Sequence, residues 1–407
     1  MINASPTLKT RYALVGTGGR SPMFLDPIAD TYSDHCALVG LCDLSPTRLR
    51  WHQERLARDY GTPPIPAYAA ADFDRMLEEQ HPDVVIVCTP DYTHHDYIIR
   101  ALEAGCDVIS EKPLTTSAEN FAAIDDAVRR TGRSVRTTFN YRWGAGPTKV
   151  RELIASGAIG NVKHVDFEYT LNTSHGADYF RRWHSHKQCS GGLLVHKSTH
   201  HFDLVNWWID AVPDTVFAMA DLAFYGKANA VARGQENLTA YPRYTGVPAA
   251  KTDPFGFDLE RDPTLKGLYF DAEADSGYLR DQNVFRDGID IEDTMSVMVR
   301  YRTGVMMTYS LNAFCPGEGY RAAITGDKGR IEYSERHPSH IITGDRDIKM
   351  DAGKWSEQLV LHPHFEPPRV IALPQTHAPH GGGDPIIQEQ IFSPHAPEEH
   401  HGRNAGH

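Results

Sequence analysis

The first 140 residues alternate between short apolar segments and longer amphipathic ones, and this alternation limits the fold more than any other feature of the chain. The apolar segments have the length and composition of buried strands, and the segments between them suit helices. Strands are predicted at 11–15, 37–42, 65–68, 83–89, the segment ending at 112, and 134–141. Strands that take turns with helices form a doubly wound parallel sheet through right-handed crossovers. The sequence therefore predicts an α/β first domain.

A glycine turn follows the first predicted strand. It reads Gly16-Thr17-Gly18-Gly19-Arg20-Ser21, and Pro22 then opens a helix. Gly16 and Gly18 allow the backbone to approach a pyrophosphate, and the N–H groups of a helix N-terminus bind anions. Ser21 stands where the G-x-G-x-x-G pattern has its third glycine, so an ordinary glycine turn explains the motif alone equally well. Within the alternating pattern, the turn predicts a dinucleotide-binding Rossmann domain over residues 1–143.

An acidic residue, Asp43, ends the second predicted strand. A carboxylate at this position can accept the two ribose hydroxyls of NAD and would repel the 2′-phosphate of NADP. The sequence therefore predicts NAD, although the nearby Arg48 leaves NADP open. The alternative is a loop acid before the helix that Ser45-Pro46 begins.

The fifth predicted strand ends in Glu111-Lys112-Pro113. Proline cannot continue a strand ladder, and ligands of open parallel sheets bind beyond the carboxyl ends of the strands. Taken alone, Lys112 is more readily explained as a surface lysine with its stem on apolar surface. The nucleotide-binding pattern upstream favours a lysine that faces both a cofactor and a second reactant.

These residues resemble the Gfo/Idh/MocA family of NAD(P)-dependent oxidoreductases from position 11 to about 392. Besides the glycine turn, the resemblance is carried by Thr89-Pro90 with His94, Glu111-Lys112-Pro113, Asn140-Tyr141-Arg142, and Gly191-Gly192 followed by His196 and His200. It implies that Lys112 lies beside the nicotinamide and the substrate, that Thr89 and Pro90 pack on the cofactor, and that the Lys112–Pro113 peptide bond is cis. We therefore expect cofactor contacts from Gly16, Gly18, Gly19, Arg20, Asp43, Arg48, Thr89, Pro90, His94, Glu111 and Lys112.

A histidine-rich helix is predicted from Gly192 to about Ile209. His196 and His200 are four residues apart and share one helical face. Where the family usually has an aspartate followed four residues later by a histidine, this chain has His196 and then His200. The resemblance makes His200 the first candidate for the catalytic acid and base, with His196 or Lys197 in place of the carboxylate. Two packing histidines are the alternative, and no metal site is predicted because the pair supplies only two ligands.

The remaining residues, 144–407, are predicted to form an α+β substrate-binding and oligomerisation domain. The segment 179–184 is predicted to be an aromatic and basic loop, which fits a sugar site or an interdomain contact equally. Substrate contacts are expected from Tyr141, Arg142, Arg182, Trp183, Lys197 and His201.

Residues 225–288 lack periodicity and are predicted to be an insertion over the substrate cleft, at a subunit contact, or at the periphery. Consecutive antiparallel strands are predicted at 293–301, 304–311, 321–325 and 329–333, and a last helix at 380–392. The family uses the open face of such a sheet for dimer or tetramer contacts. Its members normally continue beyond a segment such as 402–407 into another helix, so truncation is an open alternative.

Composition excludes several classes of protein. The formal net charge of -12 argues against nucleic-acid binding, and no apolar run approaches the roughly 20 residues of a membrane span. The first ten residues lack the apolar core of a signal peptide. Because the six cysteines show no C-x-x-C spacing, we expect reduced thiols in a cytoplasmic protein.

Three functions fit these observations. The leading hypothesis is an NAD-dependent dehydrogenase or reductase that acts on a hydroxyl or keto group of a sugar, cyclitol or related polyol, as a homodimer or homotetramer. The first alternative is an NAD-dependent glycosidase that works by transient oxidation and elimination. The second is a non-catalytic NAD-binding regulator, which fits the missing aspartate. Net NADH production separates the first two, and turnover of any sugar excludes the third.

Overall fold

The computed structural model of the protein describes residues 9–337, 355–374 and 382–403. The chain divides into two compact units. The first contains residues up to Phe139, Leu259–Arg280 and Asp384–Glu398, and the second contains Asn140–Asp258, Asp281–Gly383 and the residues from Glu399 onward. This division differs from an uninterrupted second domain over 144–407, because two later segments belong to the first unit.

Strands and helices alternate along the first part of the first unit. They are β1 (Thr10–Val15), α1 (Pro22–Ala29), β2 (Cys36–Asp43), α2 (Pro46–Tyr60), β3 (Ala67–Ala69), α3 (Phe73–Gln80), β4 (Val84–Val87), α4 (His94–Glu103), β5 (Asp107–Ser110), α5 (Ala118–Thr131) and β6 (Val135–Thr137). The strands form one parallel sheet in the order β3-β2-β1-β4-β5-β6. This order confirms the doubly wound Rossmann fold, with the reversal of strand order between β1 and β4.

Local sequence signals explain the helix that matters most for the site. Ser45 caps α2 by accepting a hydrogen bond from the Arg48 N–H at 3.1 Å, and Pro46 occupies its first turn. Gly61 ends the helix with a φ of 66°, a conformation that glycine adopts without steric cost. The N-terminus of α2 is therefore fixed directly after β2, where a dinucleotide-binding sheet holds the adenosine.

The rest of the chain supplies the second unit and two later pieces of the first. Its elements are α6 (Ala145–Ala155), β7 (Val162–Asn172), α7 (Thr173–Arg181), α8 (Lys187–Ser190), α9 (Leu193–His196), α10 (Thr199–Ile209), β8 (Pro213–Asp221), α11 (Lys227–Ala232), α12 (Pro263–Leu265), α13 (Glu273–Ser276), β9 (Thr294–Tyr301), β10 (Met306–Cys315), β11 (Gly319–Gly326), β12 (Gly329–Arg336), β13 (Ser356–Pro363), β14 (Arg369–Ile371) and α14 (Gly383–Phe392). The predicted helix start at His380 lies outside the described residues.

A mixed, mostly antiparallel sheet forms the second unit, in the order β14-β13-β12-β11-β7-β10-β9-β8. This confirms the α+β class, but the prediction that 304–311 and 321–325 pair as consecutive antiparallel strands is wrong. β7 lies between β10 and β11 and pairs parallel to β10. Side chains alternate along β9 between buried and exposed, so one face of this part of the sheet packs in the core and the other is open.

Three local predictions need correction. Residues 179–184 are not one loop, because 179–181 form the last turn of α7 and Trp183–Ser185 form a 3₁₀ turn. Asn172 caps the start of α7 by accepting hydrogen bonds from the N–H groups of Ser174 and His175. The predicted helix 192–209 is interrupted after His196, and α10 begins at Thr199. The predicted strand 134–141 is shorter, since Asn140–Trp143 forms a 3₁₀ turn.

The predicted insertion at 225–288 is divided between the two units. Leu259–Arg280 belongs to the first unit, and the residues on both sides of it belong to the second. The flanking residues bury aromatic side chains, Tyr225, Tyr244 and Phe285, in the core of the second unit. They are therefore part of that core.

Candidate active site

The glycine turn joins β1 to α1 and is tied to the end of β2. Gly16 has a φ of 92°, and a Cβ atom there would lie 2.5 Å from the carbonyl carbon of Cys88, so only glycine fits. The Thr17 N–H and hydroxyl donate hydrogen bonds to Asp43 Oδ2 at 2.6 and 3.0 Å. The turn is thus held in the shape that lets backbone come close to a pyrophosphate, which fits NAD.

Ser21 and His52 support the turn at the position of the missing third glycine. The Ser21 hydroxyl donates to the Gly18 carbonyl at 2.8 Å and lies 3.2 Å from His52 Nε2. His52 Nε2 also lies 3.1 Å from the Thr17 carbonyl, which can only accept, so this nitrogen carries the proton. Burial lowers the pKa of His52 to about 3, and its ring is neutral. The sequence analysis did not identify His52. Its spacing from Leu49 and Leu56, which share the buried face of α2, is the one signal that could have indicated its burial.

Asp43 is 5% exposed and already accepts several hydrogen bonds. Oδ2 accepts those from Thr17, and Oδ1 accepts one from the Ser45 N–H at 2.7 Å and lies 3.4 Å from Arg48 Nη1. The carboxylate therefore organises the turn and the start of α2, in addition to the predicted contact with ribose.

The ends of β4 and β5 are joined by His94. This buried ring places Nδ1 2.8 Å from the Pro113 carbonyl and Nε2 2.8 Å from the Thr89 carbonyl. Burial lowers the pKa of His94, and a neutral imidazole donates only one of these two bonds at a time. His94 therefore fixes the Thr89-Pro90 loop against the segment after β5, and its ring is engaged with backbone on both sides.

Lys112 follows a buried carboxylate, Glu111, that already forms an ion pair with an arginine. Glu111 Oε1 lies 2.7 Å from Arg20 Nε, which joins the end of β5 to the glycine turn. Lys112 is partly buried, and the Lys112–Pro113 peptide bond is cis, as the resemblance implied. Both residues lie just beyond β5, at the edge of the sheet where ligands of such folds bind.

In the second unit, Lys197 is the centre of a buried polar and aromatic group. Lys197 is 5% exposed, and its ammonium donates to the Tyr141 hydroxyl at 3.0 Å. The same ammonium lies 4.9 Å from the centre of the Tyr169 ring, and the His200 ring stacks on Tyr141 with centroids 4.3 Å apart. A buried cation requires such partners. The group combines a hydroxyl, an ammonium and an imidazole.

His196 has different neighbours from His200. Its ring lies 4.2 Å from His184 and 5.5 Å from Tyr179, measured between centroids. Trp183 stacks on His184 at 3.6 Å. The structure therefore groups His196 with the aromatic residues of 179–184, and Lys197 with His200 through Tyr141.

Arg142 and His201, both predicted substrate contacts, lie in the core. Arg142 is 2% exposed and donates from Nε to Asp203 Oδ2 at 2.7 Å. Burial raises the pKa of Asp203 to about 6, although Arg142 opposes the shift. His201 is fully buried, and its Nδ1 lies 2.8 Å from the Tyr309 hydroxyl. Both side chains are thus buried and bonded to core residues, and their predicted contact with the substrate stays a prediction.

Arg182 and Trp183 are partly exposed. Arg182 donates to Asp178 one helical turn earlier at 3.1 Å. These two side chains keep surface that a substrate could contact, and their predicted role stays a prediction.

Sequence reasoning also missed a buried network around Glu318. Glu318 Oε1 lies 2.8 Å from His175 Nδ1 and 3.2 Å from His337 Nδ1, and His175 Nε2 lies 3.0 Å from the Tyr179 hydroxyl. The members come from α7, from the residue before β11, and from the residue after β12. No sequence spacing could have joined them, because the pairing of β11 with β7 on one side and with β12 on the other brings them together.

Within residues 9–337, 355–374 and 382–403, no group of three or more histidine, cysteine, aspartate or glutamate side chains could hold a metal ion. None of the helices that the structure describes is long and apolar enough to cross a membrane.

Comparison with known proteins decides the family. The Gfo/Idh/MocA oxidoreductase profile for the NAD-binding Rossmann fold matches residues 10–139, and its C-terminal alpha/beta domain profile matches residues 151–393. The chain belongs to the Gfo/Idh/MocA oxidoreductase family. Its first domain is therefore an NAD-binding Rossmann domain, as the glycine turn predicted.

Several relatives support this membership. YteT of Bacillus subtilis is 35% identical over 384 residues, which are 91% of this chain and 85% of YteT. D-glucoside 3-dehydrogenase of Escherichia coli is 31% identical over 165 residues, 40% of this chain and 44% of that protein. An aldose-aldose oxidoreductase from Caulobacter crescentus, solved with glycerol, shares the fold with a TM-score of 0.60 at 19% identity, over 95% of this chain and 90% of that one.

Proposed function

We propose that this Gfo/Idh/MocA oxidoreductase is an NAD-dependent dehydrogenase or reductase acting on a hydroxyl or keto group of a sugar, cyclitol or related polyol. The observation that carries the proposal is the buried group of Lys197, Tyr141 and His200, which presents a cation, a hydroxyl and an imidazole. Such groups bind hydroxyls and move their protons. Relatives named as a glucoside dehydrogenase and inositol dehydrogenases support the substrate class.

The residues that would hold NAD are those of the glycine turn, Asp43, and the loop after β4. Bound NAD would supply a nicotinamide that accepts or returns a hydride. We assign Lys112 the task of holding the reacting oxygen of the substrate, because it follows β5 at the ligand-binding edge of the sheet.

We assign His200 as the acid and base that exchanges the hydroxyl proton. Lys197, and not His196, takes the place of the family carboxylate in this proposal, because Lys197 is bonded to the tyrosine on which His200 stacks.

The test begins by identifying any nucleotide that co-purifies with the full chain. Purified protein is then incubated with NAD and a panel of sugars, cyclitols and aryl glycosides, and NADH is followed by absorbance. Net NADH formation with a polyol supports the proposal. Release of the aryl group without net NADH would instead establish the glycosidase, and no turnover of any compound would favour a regulator.

We also propose that the protein is a cytosolic homo-oligomer that associates through the open face of its mixed sheet. Exposed apolar side chains on β8 and β9 include Phe217, Met219 and Met298, with exposed fractions of 58%, 68% and 51%. They line a depression of about 810 Å³ on that face. An apolar patch of this kind on a sheet is typical of a subunit contact.

A further inference from the structure

The segment Leu259–Arg280 packs on the first unit, directly on the glycine turn and α2. The Tyr269 hydroxyl accepts a hydrogen bond from the Gly19 N–H at 2.9 Å. The backbone of Gly267 presses on Trp51 of α2, since a Cβ atom there would lie 2.3 Å from Trp51 Nε1. This segment therefore borders the surface on which a Rossmann domain binds the adenosine half of its dinucleotide.

Asp275, in the same segment, occupies the N-terminus of α2. Its Oδ2 accepts hydrogen bonds from the Ser45 hydroxyl and from the Thr47 N–H, the latter at 3.1 Å. The bond from Ser45 lowers the pKa of Asp275, which is ionised at neutral pH. A helix N-terminus directly after β2 is where a phosphate on the adenosine ribose would find N–H and hydroxyl donors, and here a carboxylate uses them.

Arg48, the cation near this helix N-terminus, also has hydrogen-bond partners within the protein. Arg48 Nε donates to the Leu268 carbonyl at 3.0 Å, and Arg48 Nη1 lies 3.4 Å from Asp43 Oδ1. The guanidinium carbon lies 5.7 Å from the centre of the Tyr269 ring. Rossmann enzymes that use NADP commonly have an arginine in this region to accommodate the 2′-phosphate. In this chain the segment and Asp43 hold that arginine.

We propose that Asp275 is a second cofactor-selectivity residue, which together with Asp43 excludes the 2′-phosphate of NADP from the start of α2. The proposal rests on the NAD-dependent function above. Two carboxylates on either side of Ser45 repel a dianionic phosphate more strongly than Asp43 does alone. Residue 275 lies far from the glycine turn in sequence, so the usual inspection of the residues after β2 does not reveal it.

The test measures binding, which does not depend on turnover. NAD and NADP are titrated into the full chain by calorimetry, for the unmutated protein, for Asp275→Asn, and for Asp275→Lys. Asp271→Asn is the matched control, since Asp271 pairs with Lys266 in the same segment. We expect Asp275→Asn to tighten NADP binding by about 10-fold to 100-fold, with NAD binding within about threefold, and Asp275→Lys to tighten it further. The gain in NADP affinity should become smaller as the salt concentration is raised from roughly 0.05 to roughly 0.5 M, because salt screens the repulsion between the carboxylate and the phosphate.

The outcomes separate the two proposals. An unchanged ratio of NADP to NAD affinity in both Asp275 variants, or an equal change of both affinities, would overturn the role of Asp275 and leave the NAD-dependent function standing. Binding of neither dinucleotide by the unmutated protein would overturn both. Thermal unfolding of Asp275→Asn and Asp275→Lys shows whether either substitution disturbs the fold. The salt dependence of the affinity of Asp275→Asn for NADP then shows whether the gain is due to the removed charge.

Discussion

Asp43 is predicted to bind the ribose of NAD and also holds the glycine turn and the start of α2, so its substitution should affect both cofactor binding and stability. Asp43→Ala removes the predicted partner of the ribose hydroxyls and leaves the donors of Thr17 and Ser45 without their acceptor. We expect NAD binding to weaken by about 1 to 3 kcal/mol, with a further loss in the free energy of unfolding of similar size. Titration calorimetry and chemical denaturation measure the two effects.

Asp43→Asn is the control for the structural part, because the amide keeps an oxygen that accepts from one of the donors. It should lose less stability than Asp43→Ala. Tighter binding of NADP than of NAD by the unmutated protein would contradict the predicted role of this acid.

Lys112 and His200 are proposed to act in the chemical step. Lys112→Ala and His200→Ala should each lower kcat by about 10²-fold to 10⁴-fold with NAD affinity less affected, which is the range for acid–base groups. If both serve one oxygen, the double variant should lose much less than the product of the single losses. Steady-state kinetics with the best substrate of the panel measures this.

His201→Gln is the control among the neighbouring histidines, because His201 lies in the core and bonds Tyr309. His201→Gln should lower the free energy of unfolding and should change kcat less than His200→Ala does. Full kcat in His200→Ala would remove this residue from the mechanism.

At the scale of secondary-structure elements, His337 joins the end of β12 to the start of β11. Burial alone would lower the pKa of His337, but hydrogen bonds to Glu318 and Glu335 outweigh it and raise the pKa from 6.5 to about 9. The folded state therefore holds the proton more tightly than the unfolded state does. Its contribution to stability is full below pH 6.5 and is lost as the pH rises to about 9.

The free energy of unfolding should accordingly fall by up to about 3 kcal/mol across this window. His337→Gln should flatten that dependence, whereas His364→Gln, at an exposed histidine, should not. Chemical denaturation at several pH values measures the slope. An identical slope in His337→Gln would show that other groups carry the pH dependence.

The elements from β1 to β6 could be predicted because their signals are local. Apolar strands, the Ser45-Pro46 cap and the glycine turn each lie within a few consecutive residues, and the parallel order follows from their alternation. The position of β7 between β10 and β11 could not be predicted in this way. It depends on pairing between strands more than 130 residues apart in the chain.

The same distinction applies to the candidate site. The motif residues Asp43 and Lys112 lie at the ends of predicted strands, and His94 follows the predicted strand 83–89 at the start of α4. The contact between Lys197 and Tyr141 and the position of Asp275 beside Ser45 join distant segments, and no spacing indicates them. The pairing of Arg142 with Asp203 in the core is likewise not indicated by the motif that contains Arg142.

At the scale of the whole molecule, the open sheet face should control assembly. Phe217→Glu and Met219→Glu each place a charge in the exposed apolar group, and burying an unpaired charge is costly. We expect either variant to shift the protein to monomers in size-exclusion chromatography with light scattering. Phe365→Glu, at a fully exposed residue in the turn between β13 and β14, is the matched control.

An unmutated protein that is monomeric at micromolar concentration would contradict this assembly. A dimer that persists in both sheet variants would place the subunit contact elsewhere.

The return of the chain to its first unit has a consequence for synthesis on the ribosome. Phe392 of α14 is 3% exposed and packs edge-on against Tyr12 of β1, with ring centroids 5.4 Å apart. Tyr269 reaches the glycine turn from the middle of the chain. The parallel sheet therefore obtains all of these buried contacts only after α14 has been synthesised, more than 250 residues after β6, and until then the nascent polypeptide leaves Tyr12 without the Phe392 ring.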